Sequence, residues 1–168
     1  MKIVDLNDEW ALNIGKVFLS FGCLEKLTID CINKWLDGQR IVNHLVNGPL
    51  NQRVNIVIDL AKDKYGDCEE FQSFSKHLKS LQELGKQRNL IAHNPLMIVF
   101  YEDSFEEKIC SLRNDDVTFT LSELHQFVLN SEVLYQELLT DLVKFKILDS
   151  PNYMNMKLLE GLHGLEKV

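Results

Sequence analysis

The feature that most constrains the fold is a series of long segments whose apolar residues recur at helical spacing. The first segment runs from about Asp8 to Leu36, and a second helix is expected over Leu50 to Tyr65. A third is expected from Asp67, which can cap it, to about His93. The residues Thr120-Leu121-Ser122-Glu123 form a capping box, which predicts a fourth long helix over about Leu121 to Phe145. We therefore expect a mainly α protein with about four long helices.

A change of pattern follows Asn94-Pro95, because proline disfavours a helical conformation in the residue before it. The apolar, partly β-branched run Leu96 to Tyr101 has the length and composition of a strand. A return strand is expected over Lys108 to Leu112, and a third short strand over Val117 to Phe119. The sequence thus predicts a small β-hairpin or three-stranded meander, at about residues 96–119, between the third and fourth long helices.

The length and composition favour a single domain over residues 1–168, since 168 residues can bury a sizeable core. The tail, about residues 149–168, is expected either to add a short helix at Met156 to Leu162 or to be mobile. No apolar run approaches the roughly 20 residues that cross a bilayer. The segment Met1 to Trp10 lacks a secretory pattern, so we expect a cytoplasmic protein without a membrane association.

The charge and the cysteine spacing exclude several classes of function. A net charge of −7 argues against a protein that coats nucleic acid, although it leaves room for a local basic site. No C-x-x-C pair is present and the five histidines are scattered, so neither a metal site nor a cofactor is expected. The cysteines are expected to be buried, reduced thiols: Cys23, Cys31, Cys68 and Cys110.

One arginine falls among apolar positions of the third helix. On a helical wheel with about 100° per residue, the following residues share one arc: Phe74, Leu81, Leu84, Gly85, Ile91 and Ala92. Arg88 lies inside this arc, and an unpaired buried guanidinium would cost several kcal/mol. It therefore needs carboxylates, carbonyls, phosphates or a water-filled interface. One interpretation is a structural arginine that pairs with an acid such as Asp30 or Glu137.

Polar residues lie beside this arginine. Asn89 and His93 are four positions apart and share a face at the edge of the apolar arc. Lys79, Lys86 and His93 are seven apart and form a neighbouring stripe. Asn89 and His93 could simply cap the helix end, where the helix dipole favours histidine. The two lysines could equally be ordinary solvated charges.

The segment Arg88-Asn89-Leu90-Ile91-Ala92-His93 resembles the R-x4-6-H motif of HEPN domains, in which a polar residue commonly follows the arginine. In that family the motif lies toward the end of a long helix in an up-and-down bundle of four helices. The resemblance covers roughly Asp8 to Phe145 and implies such a bundle here. The β insertion departs from the minimal HEPN bundle.

The resemblance also implies an activity. Many HEPN domains are metal-independent endoribonucleases in which two protomers build one site. In this chain, His93 would act as general acid or base, Arg88 would hold the scissile phosphate, and Asn89 would orient the phosphate or His93. Lys79 and Lys86 would extend an RNA-binding groove. A homodimer, an RNA substrate and an antitoxin partner, in a toxin–antitoxin or phage-defence system, are the expected partners.

Two other functions are compatible with the same residues. The chain could be a non-catalytic HEPN-like module that binds a nucleotide or a protein, or that dimerises, with the motif as a polar network at a helix interface. It could also be a hydrolase of another class, using His93 with an acid from elsewhere. The remaining histidines are expected to be ordinary surface or core residues: His44, His77, His125 and His163.

Overall fold

The computed structural model describes residues 8–114 and 116–145, without the side chain of Gln39. The tail that we expected at about residues 149–168, and the short helix predicted within it, lie outside the described residues. Among the described helices, none combines the length and the apolar character needed to cross a bilayer.

The described chain is mainly helical, as predicted. The elements in order are α1 (Asp8–Trp35), α2 (Gln39–Val46), α3 (Leu50–Tyr65), α4 (Glu69–His93), β1 (Leu96–Phe100), β2 (Phe105–Cys110), β3 (Thr118–Thr120) and α5 (Leu121–Lys144). The prediction of about four long helices is off by one element, because the eight-residue α2 was not predicted. Its apolar residues do recur at helical spacing, but the helix lies between two breaks and is short.

The four longer helices pack around a common core. α1 packs against α3 and α5, and α4 packs against the same two helices. The largest fully buried side chains include Trp10, Phe21, Phe74 and Phe127. Burial of each such side chain contributes about 1.5–3 kcal/mol. The core therefore holds α4, which bears the Arg88–His93 segment, between two neighbours.

The inserted strands form an antiparallel meander in the order β1-β2-β3, which confirms the predicted insertion between α4 and α5. Leu96 lies opposite Ile109, and Phe100 lies opposite Phe105. β2 begins three residues before the predicted return strand, because it follows directly on the turn that the backbone N–H of Tyr101 closes by donating to the Ser104 carbonyl (2.8 Å).

Two contacts fix the meander to the helices. Trp10 Nε1 donates to Glu107 Oε2 at 2.8 Å, which joins the first turn of α1 to β2. The predicted capping box is confirmed: Glu123 N donates to Thr120 Oγ1, and Thr120 N donates to Glu123 Oε2. The sheet therefore ends directly at the start of α5.

Candidate functional site

Arg88 is half-buried and anchored to α1. Its Nη2 atom donates to Glu25 Oε1 at 3.0 Å, and its guanidinium carbon lies 4.9 Å from the centroid of the Phe21 ring. The arginine side chain keeps 23% of its surface exposed. The sequence correctly predicted that this arginine needs a partner. The proposed acids were wrong, because Asp30 pairs with Lys26 and Glu137 lies against His77.

A second arginine, which the sequence analysis did not single out, shares the same carboxylate. Arg53 is buried, and its Nη2 donates to Glu25 Oε1 at 3.2 Å. Its remaining donors reach Thr28 Oγ1 and the carbonyl oxygens of Val46 and Gly48. Two cations thus face one anion where α1, α3 and α4 meet. Nothing in the sequence indicated that Arg53 would be buried, because the first turn of α3 around it is polar.

The other two motif residues differ from Arg88 in their surroundings. Asn89 and His93 are both exposed on α4, one turn apart as predicted. Neither side chain forms a hydrogen bond or an ion pair with another residue of the described chain. The predicted apolar arc is right except for Ala92, which is exposed. It follows Ile91 by about 100°, and only Ile91 faces the core.

Two adjoining cavities flank these residues. A cavity of about 350 Å³ is lined by Glu25, Arg53 and Arg88, among others, and one of about 620 Å³ is lined by His93. Lys86 and Asn89 line both cavities, so the two cavities are neighbours on α4. The structure therefore places four of the five predicted site residues along two neighbouring cavities.

Lys79, the fifth predicted residue, lies elsewhere on α4. It lines a separate cavity with Phe71 and Lys76 and shares none of the described cavities with Arg88 or His93. Fourteen residues separate it from His93, which is about 21 Å along a helix axis. Lys86 is closer to the centre, but its Nζ atom is 2.7 Å from Glu83 Oε1 on the exposed surface. Its positive charge is therefore partly neutralised.

The β insertion supplies a second wall of the His93 cavity. Ser111, Leu112, Arg113 and Val117, from the segment between β2 and β3, line it together with α4. The Asn94 side chain fixes this wall. Its Nδ2 donates to the Leu90 carbonyl (2.7 Å) and its Oδ1 accepts from the Leu112 backbone N–H (2.9 Å). Arg113 therefore adds a cation that sequence spacing alone could not place here.

A second polar cluster, which the sequence analysis also missed, lies about three turns nearer the start of α4 than Arg88. His77 Nδ1 is 2.7 Å from the buried carboxylate of Asp141, and Ser73 Oγ donates to the same carboxylate at 3.1 Å. Lys144 Nζ lies 3.4 Å from Asp141, and Glu137 lies 3.5 Å from His77 Nε2. Ser73 and His77 are four residues apart on α4, and Glu137 and Asp141 are four apart on α5, so each pair shares a helix face. This spacing cannot predict that the two faces would meet.

This cluster lines the largest described cavity, of about 910 Å³, between α1, α4 and α5. Asp141 is only 1% exposed, and the hydrogen bonds from its neighbours compensate for the loss of water around its carboxylate. The interaction joins α4 to α5 and holds the imidazole in one orientation. None of its lining residues lines the Arg88 or His93 cavities.

The described cysteines and acids offer neither an activated nucleophile nor a metal site. Burial raises the pKa of the Cys31 thiol to about 12, so the thiol stays protonated and inert. The expectation of buried cysteines holds for Cys31 only, since Cys23 is exposed and Cys68 and Cys110 are half-buried. No group of three His, Cys, Asp or Glu side chains within the described residues could hold a metal ion.

Comparison of the chain with protein-family models, with curated proteins and with solved structures finds no match.

Proposed function

We propose that the chain is a homodimeric, metal-independent endoribonuclease of the HEPN type. The observation that supports it best is that Asn89 and Lys86 line two neighbouring cavities, one lined by Arg88 and the other by the accessible His93. Both parts that RNA transesterification needs, a phosphate-binding cation and a titratable imidazole, thus lie close together on α4.

The reaction assigns a separate role to each residue. His93 removes the proton of a ribose 2′-hydroxyl, whose oxygen then attacks the adjacent phosphorus. The bond from phosphorus to the 5′-oxygen breaks, and the partner's His93 delivers a proton to this leaving oxygen. The products are a 2′,3′-cyclic phosphate and a free 5′-hydroxyl. Two protomers are therefore needed, because one imidazole cannot be base and acid in the same step.

Arg88 holds the phosphate in this scheme. A guanidinium has five N–H donors, and Glu25 uses only one of them at hydrogen-bond distance. Glu25 is a positioning residue, because it and the Phe21 ring hold the guanidinium in one place. Asn89 orients the phosphate or His93, and Lys86 and Lys79 extend the RNA-binding surface along α4.

The test is cleavage of single-stranded RNA by purified protein in the presence of EDTA. His93→Ala is expected to lower the rate by about 10²–10⁴-fold, the usual contribution of a general acid or base. The matched control is His44→Ala, which removes another exposed histidine, on α2. A well-folded parent that leaves varied RNAs intact, or equal rates for the parent and His93→Ala, would refute the catalytic role.

A second candidate is a non-catalytic HEPN-like module that binds a nucleotide or a protein. The anchoring of Arg88 by Glu25 and Phe21 favours it, because a guanidinium in an ion pair serves packing as well as catalysis. Direct titration with nucleotides and RNA distinguishes the two. Binding without cleavage, unaffected by His93→Ala, identifies the module.

The toxin role is tested in cells. Induced expression of the parent is expected to arrest growth, while His93→Ala expressed to the same level is expected to be harmless. Arrest by both proteins would show that toxicity does not depend on His93, and would count against a toxin that acts by cleaving RNA. An antitoxin is then sought as a protein that suppresses the arrest.

A further inference from the structure

The outer edge of β1 has backbone groups that no described residue pairs with. β1 lies at the edge of the sheet and pairs, within the described residues, with β2 alone. Hydrogen bonds from Cys110 N to the Pro95 carbonyl and from Tyr101 N to the Ser104 carbonyl show that the odd-numbered residues face β2. Since backbone groups alternate sides along a strand, those of Leu96, Ile98 and Phe100 point outward.

This edge lacks the devices by which proteins usually protect an edge strand. The strand sequence Leu-Met-Ile-Val-Phe contains no charged residue and no proline. Ile98 is 49% exposed and Phe100 is 78% exposed. A row of outward N–H and C=O groups beside exposed apolar side chains fits one kind of occupant, which is another extended strand.

We propose that β1 pairs in antiparallel fashion with β1 of a second copy of this chain, centred on Ile98. In this register, Ile98 lies opposite Ile98 of the other copy, and Leu96 lies opposite Phe100. All of these residues have outward backbone groups, so each N–H meets a C=O. Their side chains also share one face of the sheet. No charged residue lies opposite a like charge, because the strand has none.

This contact is independent of the dimer proposed for RNA cleavage. His93 lies five residues before Ile98, and in antiparallel pairing the two His93 residues lie at opposite ends. The two Leu96 residues are about 14 Å apart along the paired strands, and each α4 lies beyond its own Leu96, so the two His93 residues lie on opposite sides of the contact. The β1 surface is therefore a second contact between copies, which joins nuclease dimers into larger assemblies. It does not depend on the proposed nuclease activity.

The test is the mass of the full chain in solution, measured by sedimentation equilibrium over a range of concentrations. Ile98→Lys and Ile98→Glu each place two like charges opposite each other at the centre of the pairing. Each is expected to lower the mass of the assembled parent to that of the nuclease dimer or, without the other interface, to that of the monomer. The control is Leu19→Lys, which places a charge at a 76% exposed leucine of α1 and is expected to leave the mass unchanged.

Mixing tests the register directly. Equal amounts of Ile98→Lys and Ile98→Glu place opposite charges at the centre, so the mixture is expected to recover the mass of the parent. Failure of the mixture to recover it overturns the pairing centred on Ile98. A parent whose mass equals that of the single variants at every concentration overturns the contact itself, and leaves the edge to a strand of another protein.

Hydrogen exchange on the parent tests the contact without any substitution, so its result does not depend on whether the variants fold. The outward amides of Leu96, Ile98 and Phe100 are expected to exchange more slowly as the concentration rises. The amides of Met97 and Val99, which face β2, are the internal control and are expected to remain unchanged. Exchange of the outward amides that is independent of concentration contradicts the proposal, whether that exchange is fast or slow.

Discussion

The two ends of the Arg88–His93 segment lie in different environments, although they are only five residues apart. Arg88 points toward the interior, where it shares Glu25 with the buried Arg53. His93 lies on the surface at the last residue of α4. The first end belongs to the packing of three helices, whereas the second can change without disturbing the core.

The comparison teaches that a motif residue can serve stability and chemistry to different extents. A residue anchored by ion pairs is held in place, and its replacement lowers the free energy of unfolding of the protein. A residue without an internal partner costs little to replace, so a loss of activity there has a simple interpretation. The following variants test this division in order of expected effect.

The largest loss of stability is expected for Glu25→Leu. The substitution leaves the guanidinium groups of Arg53 and Arg88 close together without their shared anion. Because Arg53 is buried, we expect the free energy of unfolding to fall by about 3 kcal/mol. Urea denaturation measures it. Glu83→Leu, which removes an exposed acid of α4, serves as the control, and an equal loss in both variants would contradict the special role of Glu25.

A smaller loss is expected for Arg88→Met. The Arg53–Glu25 pair remains, and the methionine keeps part of the contact with Phe21. With the arginine side chain 23% exposed, the expected cost is about 1–2 kcal/mol in the same denaturation experiment. Arg40→Met, at an exposed site of α2, is the control. If Arg88→Met were as stable as the parent, the ion pair would contribute nothing and the contrast with His93 would disappear.

Asn94→Ala is expected to cost about 1 kcal/mol, since it removes the side-chain bonds to Leu90 and Leu112. Thermal unfolding measures the loss, and Asn43→Ala on α2 provides the control. The same variant is expected to speed hydrogen exchange at Leu112, because that backbone N–H loses its acceptor. Unchanged exchange there would show that Asn94 does not hold the second wall of the His93 cavity.

The smallest effect on stability is expected for His93→Ala. Since no described residue pairs with this exposed side chain, the free energy of unfolding should change by less than about 0.5 kcal/mol. Chemical denaturation of the parent and of the variant checks it. A loss comparable to that of Arg88→Met would place His93 in the packing, and its assignment to RNA chemistry would lose its main structural support.

Much of the fold could be predicted because its signals are local. Helical periodicity placed α1, α3, α4 and α5, and the capping box placed the start of α5. Asn94-Pro95 placed the end of α4 correctly. The short α2 was missed although Ile41, Val42, Leu45 and Val46 recur at helical spacing, because only eight residues lie between its two breaks.

The candidate site was less predictable, because ion pairs depend on which helix faces overlap. The need of Arg88 for a partner followed from its apolar neighbours alone. The identity of that partner, Glu25, required the packing of α1 against α4, and the participation of Arg53 required that of α3. His77 and Asp141 are 64 residues apart, so neither pattern nor spacing could join them.

The hydrogen bond between Trp10 and Glu107 spans 97 residues of the chain. Its formation requires closing a loop that contains three further helices, which costs conformational entropy, so we expect it to form late in folding. The indole is also a natural fluorophore, buried at the point where the first helical turn meets the meander. Once Trp35, the other tryptophan of the chain, is replaced by phenylalanine, the emission of Trp10 reports the docking of the meander onto the helices.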